Sequence, residues 1–392
     1  MRIAHVITRM IVGGAQENTL FNCVDLHRDF GDEVVLITGP ALGPEGDLLN
    51  LGGEESGVQV EIVDSLRRSI NPLRDVQAYS QIRKLIQEFG PDVVHTHSAK
   101  AGVLGRAAAW NLGVSAILHT VHGAPFHEYQ SRFARQVFQM AERWAARRCH
   151  HMISVADAMT DLMVKANVAE EQKFSTIYSG MDVDPFLNSS QFRSQMRADL
   201  GIGDEHIVIG KIARLFHLKG HEDIIQAAKA VVARYPNVRF LFVGDGLLRE
   251  QLDRRIKDSE LGEYFCFTGL VDPSEIPKLI AAMDILAHAS YREGLARALP
   301  QALISGVPAI SYDIDGAREV VLNEITGLLV PAGDINGLSD AMLKLVQDSA
   351  HRKKLGAEGK RRFADRFRHQ VMTSEIRGLY VKLLESRHCF HD

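Results

Sequence analysis

Short apolar runs rich in β-branched residues alternate with helix-period segments from one end of the chain to the other, and this rhythm restricts the fold more than any other feature. The runs are "RIAHVIT", "DEVVLITG", "VQVEIV", "DVVHTHS", "AILHTVHG", "HHMISVA" and "FSTIYSG", then "HIVIGKIA", "VRFLFVGDG", "EYFCFTG", "DILAHAS", "PAISYD" and "GLLVPAG". They alternate with segments such as "HEDIIQAAKAVVARY", whose apolar residues fall at helical spacing. Strands that are apolar without a break need cover on both faces, and intervening helices supply it, so parallel sheets are predicted. Both halves read as doubly wound α/β units. A chain of 392 residues suits two domains of about 100–200 residues each.

The strand rhythm is interrupted by "DVDPFLNSSQFRSQMRADLGIGDE", Asp182 to Glu205, where proline, serines and mixed charges place the hinge. The expected division is 1–185, a linker 186–205, a second domain 206–368, and a C-terminal helix and tail 369–392 with room to cross back to the first domain. After Gly333 the chain reads as helical. "HRKKLGAEGKRRFADRFRHQ", with eight Lys or Arg against two acids, is expected to be a solvated helical face.

A net charge of -4 with 46% hydrophobic and 24% charged residues is the profile of a soluble globular protein and gives nucleic acid no support. Cys23, Cys149, Cys266 and Cys389 stand far apart without a C-x-x-C pair, so neither a zinc knuckle nor a disulfide framework is expected and a reducing cytoplasm fits. "MRIAHVITRM" is too short and too weakly basic for a signal peptide, and no run approaches the roughly 18 apolar residues of a membrane span. The expected location is cytoplasmic.

Ligands of open α/β sheets bind beyond the carboxyl ends of the strands, so two such sheets facing each other would make one cleft. In "KIARLFHLKGHEDI", Arg214 follows a strand and Lys219 precedes a helix starting near His221. A planar fork and a mobile point charge there suit a diphosphate, unless they are surface cations flanking a loop. In "SYREGLARALPQALISGVPA" a helix is expected to begin near Ala296, directing the amides of Ala296, Arg297 and Ala298 at an anion. Glu293, one turn earlier, suits a hydroxylated group beside that anion, or else caps the helix. Gly13 and Gly14, before a helix beginning near Ala15, would let backbone approach a ligand closely. Dinucleotide and P-loop signatures are absent from the sequence.

His95 and His97 share one face of a strand, and His119 and His122 end the next. No carboxylate or cysteine accompanies them at ligand spacing, so no metal is expected, and His122 is the best cleft-facing candidate. The triplets Asp182-Val183-Asp184 and Asp313-Ile314-Asp315 could hold a metal bound to a nucleotide diphosphate, but both lie in turn chemistry. The basic segment "QSRFARQVFQMAERWAARRCHH" carries Phe133, Val137, Phe138, Met140 and Trp144 among five arginines and one acid. Two roles suit it: contact with an anionic membrane surface, or cover for the sheet.

Taken together, "GGAQ", "PDVVHTHSAKAGVLGR", "HTVHGAPF", "ISVADAM", "IYSGMDVDPF", "ARLFHLKG", "LFVGDG", "FTGLV", "REGLARALPQALISGVPAI" and "GLLVPAGD" occur in an order that resembles the retaining, GT-B-fold glycosyltransferases of family four, over nearly the whole chain. The resemblance is to members that extend lipid-linked or exopolysaccharide glycans. It implies an acceptor-side first domain and a second domain that binds a nucleoside-diphosphate sugar, with uridine the family-level choice of base. Arg214, Lys219 and the amides of Ala296 to Ala298 would hold the diphosphate, and Glu293 a sugar hydroxyl. Gly13 and Gly14 would approach the diphosphate, His122 the donor sugar, and Gly269 and Leu270 the base. Gln301 stands where the family has a second glutamate on the ribose, and Ala296 where glycine or proline is common.

No carboxylate pair at obvious catalytic spacing offers a covalent nucleophile, which agrees with a front-face retaining transfer that needs neither metal nor cofactor, the leaving phosphate taking the acceptor proton. The implied partners are the donor, a glycan or polyprenyl-linked acceptor, and peripherally the inner face of the membrane. Two rivals share the fold. A nucleotide-sugar epimerase would consume donor alone, and a binding protein without turnover would leave it intact.

Overall fold

The structure is a computed structural model that describes residues 1–42, 46–49 and 57–388. Cys389 lies outside the described residues, among which Cys23, Cys149 and Cys266 are free thiols. The chain forms two compact units, Met1–Met181 with Phe367–Asp392, and Asp182–Arg366.

In the first unit the described residues form seven strands, β1 (Arg2–Ile7), β2 (Glu33–Thr38), β3 (Gln59–Ile62), β4 (Val93–His97), β5 (Ala116–Val121), β6 (His151–Ser154) and β7 (Phe174–Thr176). They lie in the order β3-β2-β1-β4-β5-β6-β7, and their pairings are parallel. The second unit holds β8 (Ile207–Ile212), β9 (Val238–Val243), β10 (Phe265–Phe267), β11 (Ile285–His288), β12 (Ala309–Tyr312) and β13 (Gly327–Val330). Their order is β10-β9-β8-β11-β12-β13, again with parallel pairings. The two doubly wound α/β units are those the apolar runs predict. In each, the strand order reverses beside the first strand, between β1 and β4 and between β8 and β11. Successive helices leave on opposite faces there, and the carboxyl ends open into a crevice.

The covering helices bury one stripe each. In the first unit, Gly14–Phe30 and the C-terminal His369–His388 bring Leu26, Met372, Ile376 and Tyr380 against Ile3, Leu36, Val93 and Leu118. Polar ties fix the C-terminal helix in place: Thr373 donates to Asp25 Oδ2 at 2.9 Å, and Arg377 to Asp32 Oδ2 at 2.8 Å. On the opposite face a buried ion pair joins Arg106 to Glu142 at 2.8 Å. In the second unit, His221–Arg234 and Ile335–Gln347 cover β8, β9 and β12 through Ile224, Val231, Leu338 and Met342. Residues 186–205 carry the helix Arg193–Asp199, which packs on Ile276–Ala282 in that unit, and Arg193 pairs with Asp284 at 2.7 Å. The basic helix Ser349–Phe363 exposes Lys353, Lys354, Arg361 and Arg362, as its charge predicts.

The helix Arg132–Ala146 departs from a covering role for its large apolar side chains. It buries Glu142, Ala145 and Ala146, while Phe133 is 78% exposed, Met140 57%, Trp144 43% and Val137 41%. These four positions, spaced at i, i+4, i+7 and i+11, form one outward stripe.

Candidate functional site

In the second unit the loop after β8 and the loop after β11 are locked together. Gly220 has φ +67° and its Cα lies so close to the Ala289 carbonyl that no side chain fits. Leu218 is also left-handed at φ +66°, and its carbonyl accepts the Tyr291 amide at 2.8 Å. This strained turn, costing about 1–3 kcal/mol at the non-glycine position, brings Lys219 to Glu293 across 74 residues of sequence, with Nζ and Oε1 at 2.5 Å. Asp223, in the first turn of the following helix, accepts the Tyr291 hydroxyl at 2.6 Å and the Tyr312 hydroxyl at 2.7 Å. Asp315 accepts the Glu293 amide at 2.7 Å.

The electrostatics follow from burial against charge. Burial pushes the Glu293 carboxyl up, but Lys219 and then His288 outweigh it and hold the group far below the usual carboxylate range. His288, at 3.5 Å from Glu293 Oε1, is driven down to about 4 by burial despite that carboxylate. Glu293 is therefore a committed anion, an acceptor for hydroxyl groups.

The other expected residues of the second unit follow β8, β10 and β11 in the chain. Arg214 follows β8 with its guanidinium 5.1 Å from the Phe216 ring centroid. Gly269, at φ +72°, ends the β10 segment and its carbonyl accepts the Gly244 amide at 3.1 Å. Leu270 beside it is 57% exposed. The helix expected near Ala296 spans Ala298–Ile304, with Arg297 as its N-cap. Leu299 and Gln301 donate their amides to the carbonyls of Ala296 and Arg297 at 3.1 Å each, while the amides of Ala296 and Ala298 have no backbone acceptor among the described residues. The side-chain amide of Gln301, half-buried, has no hydrogen-bond partner among the described residues.

In the first unit, β1 leads to Gly13, whose φ of 171° is ordinary extended backbone; a Cβ there would stand 2.9 Å from Gln16 Oε1. The helix begins at Gly14, one residue before the expected start. His122 follows β5, half-buried, with Nε2 3.1 Å from His97 Nδ1.

The ligating atoms of His5, His95 and His97 lie within 4.8 Å of one another. Both nitrogens of His95 are engaged, with Tyr380 at 2.5 Å and Thr120 at 2.7 Å, and both of His97 with other imidazoles. A metal could bind all three residues only by dismantling these bonds of His95 and His97. The aspartate triplets act in turns. Asp182 Oδ1 accepts the Asp184 amide at 3.2 Å, Asp313 pairs with Arg318 at 3.0 Å, and Asp315 orients Glu293.

Three groups escape a reading by motif: His288, Asp223 and Lys211. Lys211 is 1% exposed and its Nζ has no partner among the described residues; burial, then Lys219, lowers it to about 7. The signal was present as one polar residue inside an otherwise apolar strand, Lys211 in "HIVIGKIA" and His288 in "DILAHAS".

Known glycosyltransferases resemble this chain along most of its length. A family described as "Glycosyl transferases group 1" matches residues 192–362, and one described as "Glycosyltransferase Family 4" matches residues 12–185. The Escherichia coli UDP-Gal:alpha-D-GlcNAc-diphosphoundecaprenol alpha-1,3-galactosyltransferase is 28% identical over 354 residues, which are 89% of this chain and 88% of that protein. HepE from Anabaena, solved with UDP-glucose, has a TM-score of 0.81 at 21% identity, covering 97% of this chain and all of the other. Sucrose-phosphate synthase from Thermosynechococcus elongatus reaches 0.83 at 19% identity, covering 98% of this chain. The two structural likenesses show a shared fold.

Proposed function

The chain belongs to the GT-B glycosyltransferases of group 1 and family 4, and from that premise we propose that it moves a hexosyl or N-acetylhexosaminyl group, with retention and without a metal, from a UDP-sugar to a lipid-linked or polysaccharide acceptor. The observation that carries this reading is the Lys219–Glu293 pair at 2.5 Å, fixed where β8 and β11 end. A departing nucleoside diphosphate gains negative charge, and preorganised donors aimed at that charge accelerate its departure. Arg214, Lys219 and the amides of Ala296 and Ala298 supply cations and dipoles for the diphosphate without a metal. Glu293, ionised in place, accepts from hydroxyls of the transferred sugar, and His122 is assigned to the same sugar. Gln301 is assigned to the ribose, Gly269 and Leu270 to the base, and Gly13 and Gly14 to close approach by backbone.

A lipid-linked acceptor is supported by the relative that acts on a diphosphoundecaprenol-linked sugar and by the outward stripe Phe133, Val137, Met140 and Trp144. Among the described residues no helix is long and apolar enough to cross a membrane; the contact proposed is peripheral, at the cytoplasmic face. Arg148 stacks on Trp144 at 3.7 Å, and Arg132 and Arg135 are exposed beside Phe133. Arg143 turns inward and donates to the Ala166 carbonyl at 2.7 Å, so it takes no part. Anionic vesicles should retain the protein at low salt and lose it as salt rises. Replacing Arg132, Phe133, Arg135 and Trp144 together by alanine should abolish retention, and retention unchanged by all four substitutions removes the helix from the membrane.

The central test incubates UDP-hexoses and a polyprenyl-diphosphate-linked sugar with the protein in chelator, and reads the anomeric configuration of the product by NMR. Retained configuration in chelator is expected. An inverted product, a strict need for Mn²⁺ or Mg²⁺, or epimerised donor in the absence of acceptor overturns the corresponding part of the proposal.

A further inference from the structure

The first unit contains a row of imidazoles linked ring to ring. His5 Nδ1 lies 3.0 Å from His97 Nε2, and His97 Nδ1 lies 3.1 Å from His122 Nε2. Strand order makes the row possible: β1 and β4 are neighbours, as are β4 and β5. His5 pairs in register with His95, and His97 with Thr120, so alternation puts the rings of His5, His95, His97 and His122 on one face. Neighbouring rings lie edge to edge and nearly coplanar, with centroids 5.3 Å apart and planes 14° apart for His5 and His97, and 5.4 Å and 27° for His97 and His122. His5 and His97 are fully buried.

A neutral imidazole has one N–H and one bare nitrogen. His97 spends both nitrogens on other imidazoles, so each link holds one proton and the choice made at His97 sets all three rings. In one direction His5 Nδ1–H donates to His97, and His97 Nδ1–H donates to His122 Nε2. In the other, His122 Nε2–H donates to His97, whose Nε2–H donates to His5, and His5 then carries its proton on Nε2. That atom is buried without a partner among the described residues. The second direction therefore strands an N–H in the core, the rarer defect in folded proteins, whereas the first leaves only a bare acceptor there. Burial drives His5 down to about 3 and His97 well below its ordinary value, so neither of these two rings takes an extra proton near neutral pH.

We propose that His97 and His5 are positioning residues that fix His122 as the tautomer protonated on Nδ1, its Nε2 accepting from His97. His122 then meets an oxygen of the transferred sugar or of the leaving phosphate as an N–H donor through Nδ1, and does not act as a base through that atom. The assignment of His122 to that sugar rests on the proposed function, whereas the tautomer rests on the geometry of the first unit alone.

The test uses the full chain with ¹⁵N-labelled histidine rings. Couplings across N–H···N bonds should connect His5 to His97 and His97 to His122, with His122 protonated on Nδ1. His97→Leu should release His122 to the Nε2–H form usual for free histidine. In transfer assays it should lower kcat about tenfold or more, as expected when a reacting group is misplaced, with less than a threefold change in donor KM. It should cost nothing further once His122→Ala is present. Protonation of His122 on Nε2 in the unsubstituted protein, or absence of the couplings, overturns the inference; these readings need no substitution and so survive a variant that fails to fold. If the couplings and tautomer stand but His97→Leu leaves kcat unchanged, the positioning role falls, and an unaffected His122→Ala strikes instead at the place given to His122 in the reaction.

Discussion

The two units have the same architecture and opposite electrostatics at the carboxyl ends of their strands. In the first, the polar groups are histidines hydrogen-bonded to one another, His5 to His97 to His122, with His95 held by Tyr380 and Thr120, and burial keeps His5, His95 and His97 neutral. In the second an ion pair, Lys219 against Glu293, stands beside His288 and the amine of Lys211, both of which burial holds below their ordinary values. A neutral network orients a group but brings little field, whereas fixed ions stabilise developing charge at the expense of strain and desolvation. On the proposed function, the same fold would serve two needs of a group transfer: holding a reactant in place, and accepting the charge that leaves it.

The largest effects should come from the charged side. Arg214→Ala and Lys219→Ala are each expected to reduce kcat/KM by about 2–4 kcal/mol, or about 30–1,000-fold, the scale of one donor lost at a developing anion. Removing Lys219 also leaves Glu293 without its cation, so Lys219→Ala combined with Glu293→Gln should cost less than the two single losses added together. Additive losses would show that the pair is not a functional unit, and unchanged turnover in both single variants would take these cations out of the site.

Next in size is a stability effect that the comparison makes specific to the second unit. Lys211 is an amine buried without a partner, and its ammonium form is disfavoured, lowering it to about 7 from an ordinary value near 10.4. Between those values the unfolded chain binds the proton and the folded one does not, so stability should rise with pH across that window. Lys211→Met fills similar space without the charge. It should stabilise the protein by about 1–3 kcal/mol at pH 7 and below, the scale for replacing buried charge by apolar side chains, and the advantage should shrink towards pH 10. Denaturant titrations at several pH values check this. A gain that does not vary with pH would mean that the amine is not what limits this strand.

The sheets were legible because each strand announces itself locally. "RIAHVIT" became β1 and "EYFCFTG" became β10, since a continuous apolar run between helices has few other outcomes. Order among strands is not local, and the site depends on it. Nothing near Lys219 announces a partner 74 residues away, or near His5 a ring 92 residues away. The two helix starts expected near Ala15 and Ala296 lie at Gly14 and Ala298, because the last turn of a loop is decided by caps and contacts rather than by periodicity. The basic helix shows the same limit from the other side. Its sequence contained the apolar stripe, and only packing revealed that Ala145 and Ala146 face the core while Phe133 and Trp144 do not.

The smallest expected effect concerns Gln301, and it separates charge that drives transfer from charge that only binds. Glu293 is held ionised among Lys219, His288 and the Asp315-bound loop, so on the proposed function its field would act where positive charge develops at the anomeric carbon. Gln301 sits on the short helix Ala298–Ile304, eight residues further on, with its side-chain amide unpartnered among the described residues. A contact with the ribose of the leaving nucleotide is the same in ground and transition states, so it alters donor affinity and leaves kcat alone. A carboxylate accepts hydrogen bonds more strongly than a neutral amide by about 1 kcal/mol. Gln301→Glu should therefore lower donor KM by no more than about tenfold at unchanged kcat, whereas Glu293→Gln should lower kcat at least tenfold. If Gln301→Glu abolishes turnover while Glu293→Gln is silent, the two positions have been assigned the wrong way round. The ionic character of the second unit would then be a property of its packing and not of its chemistry.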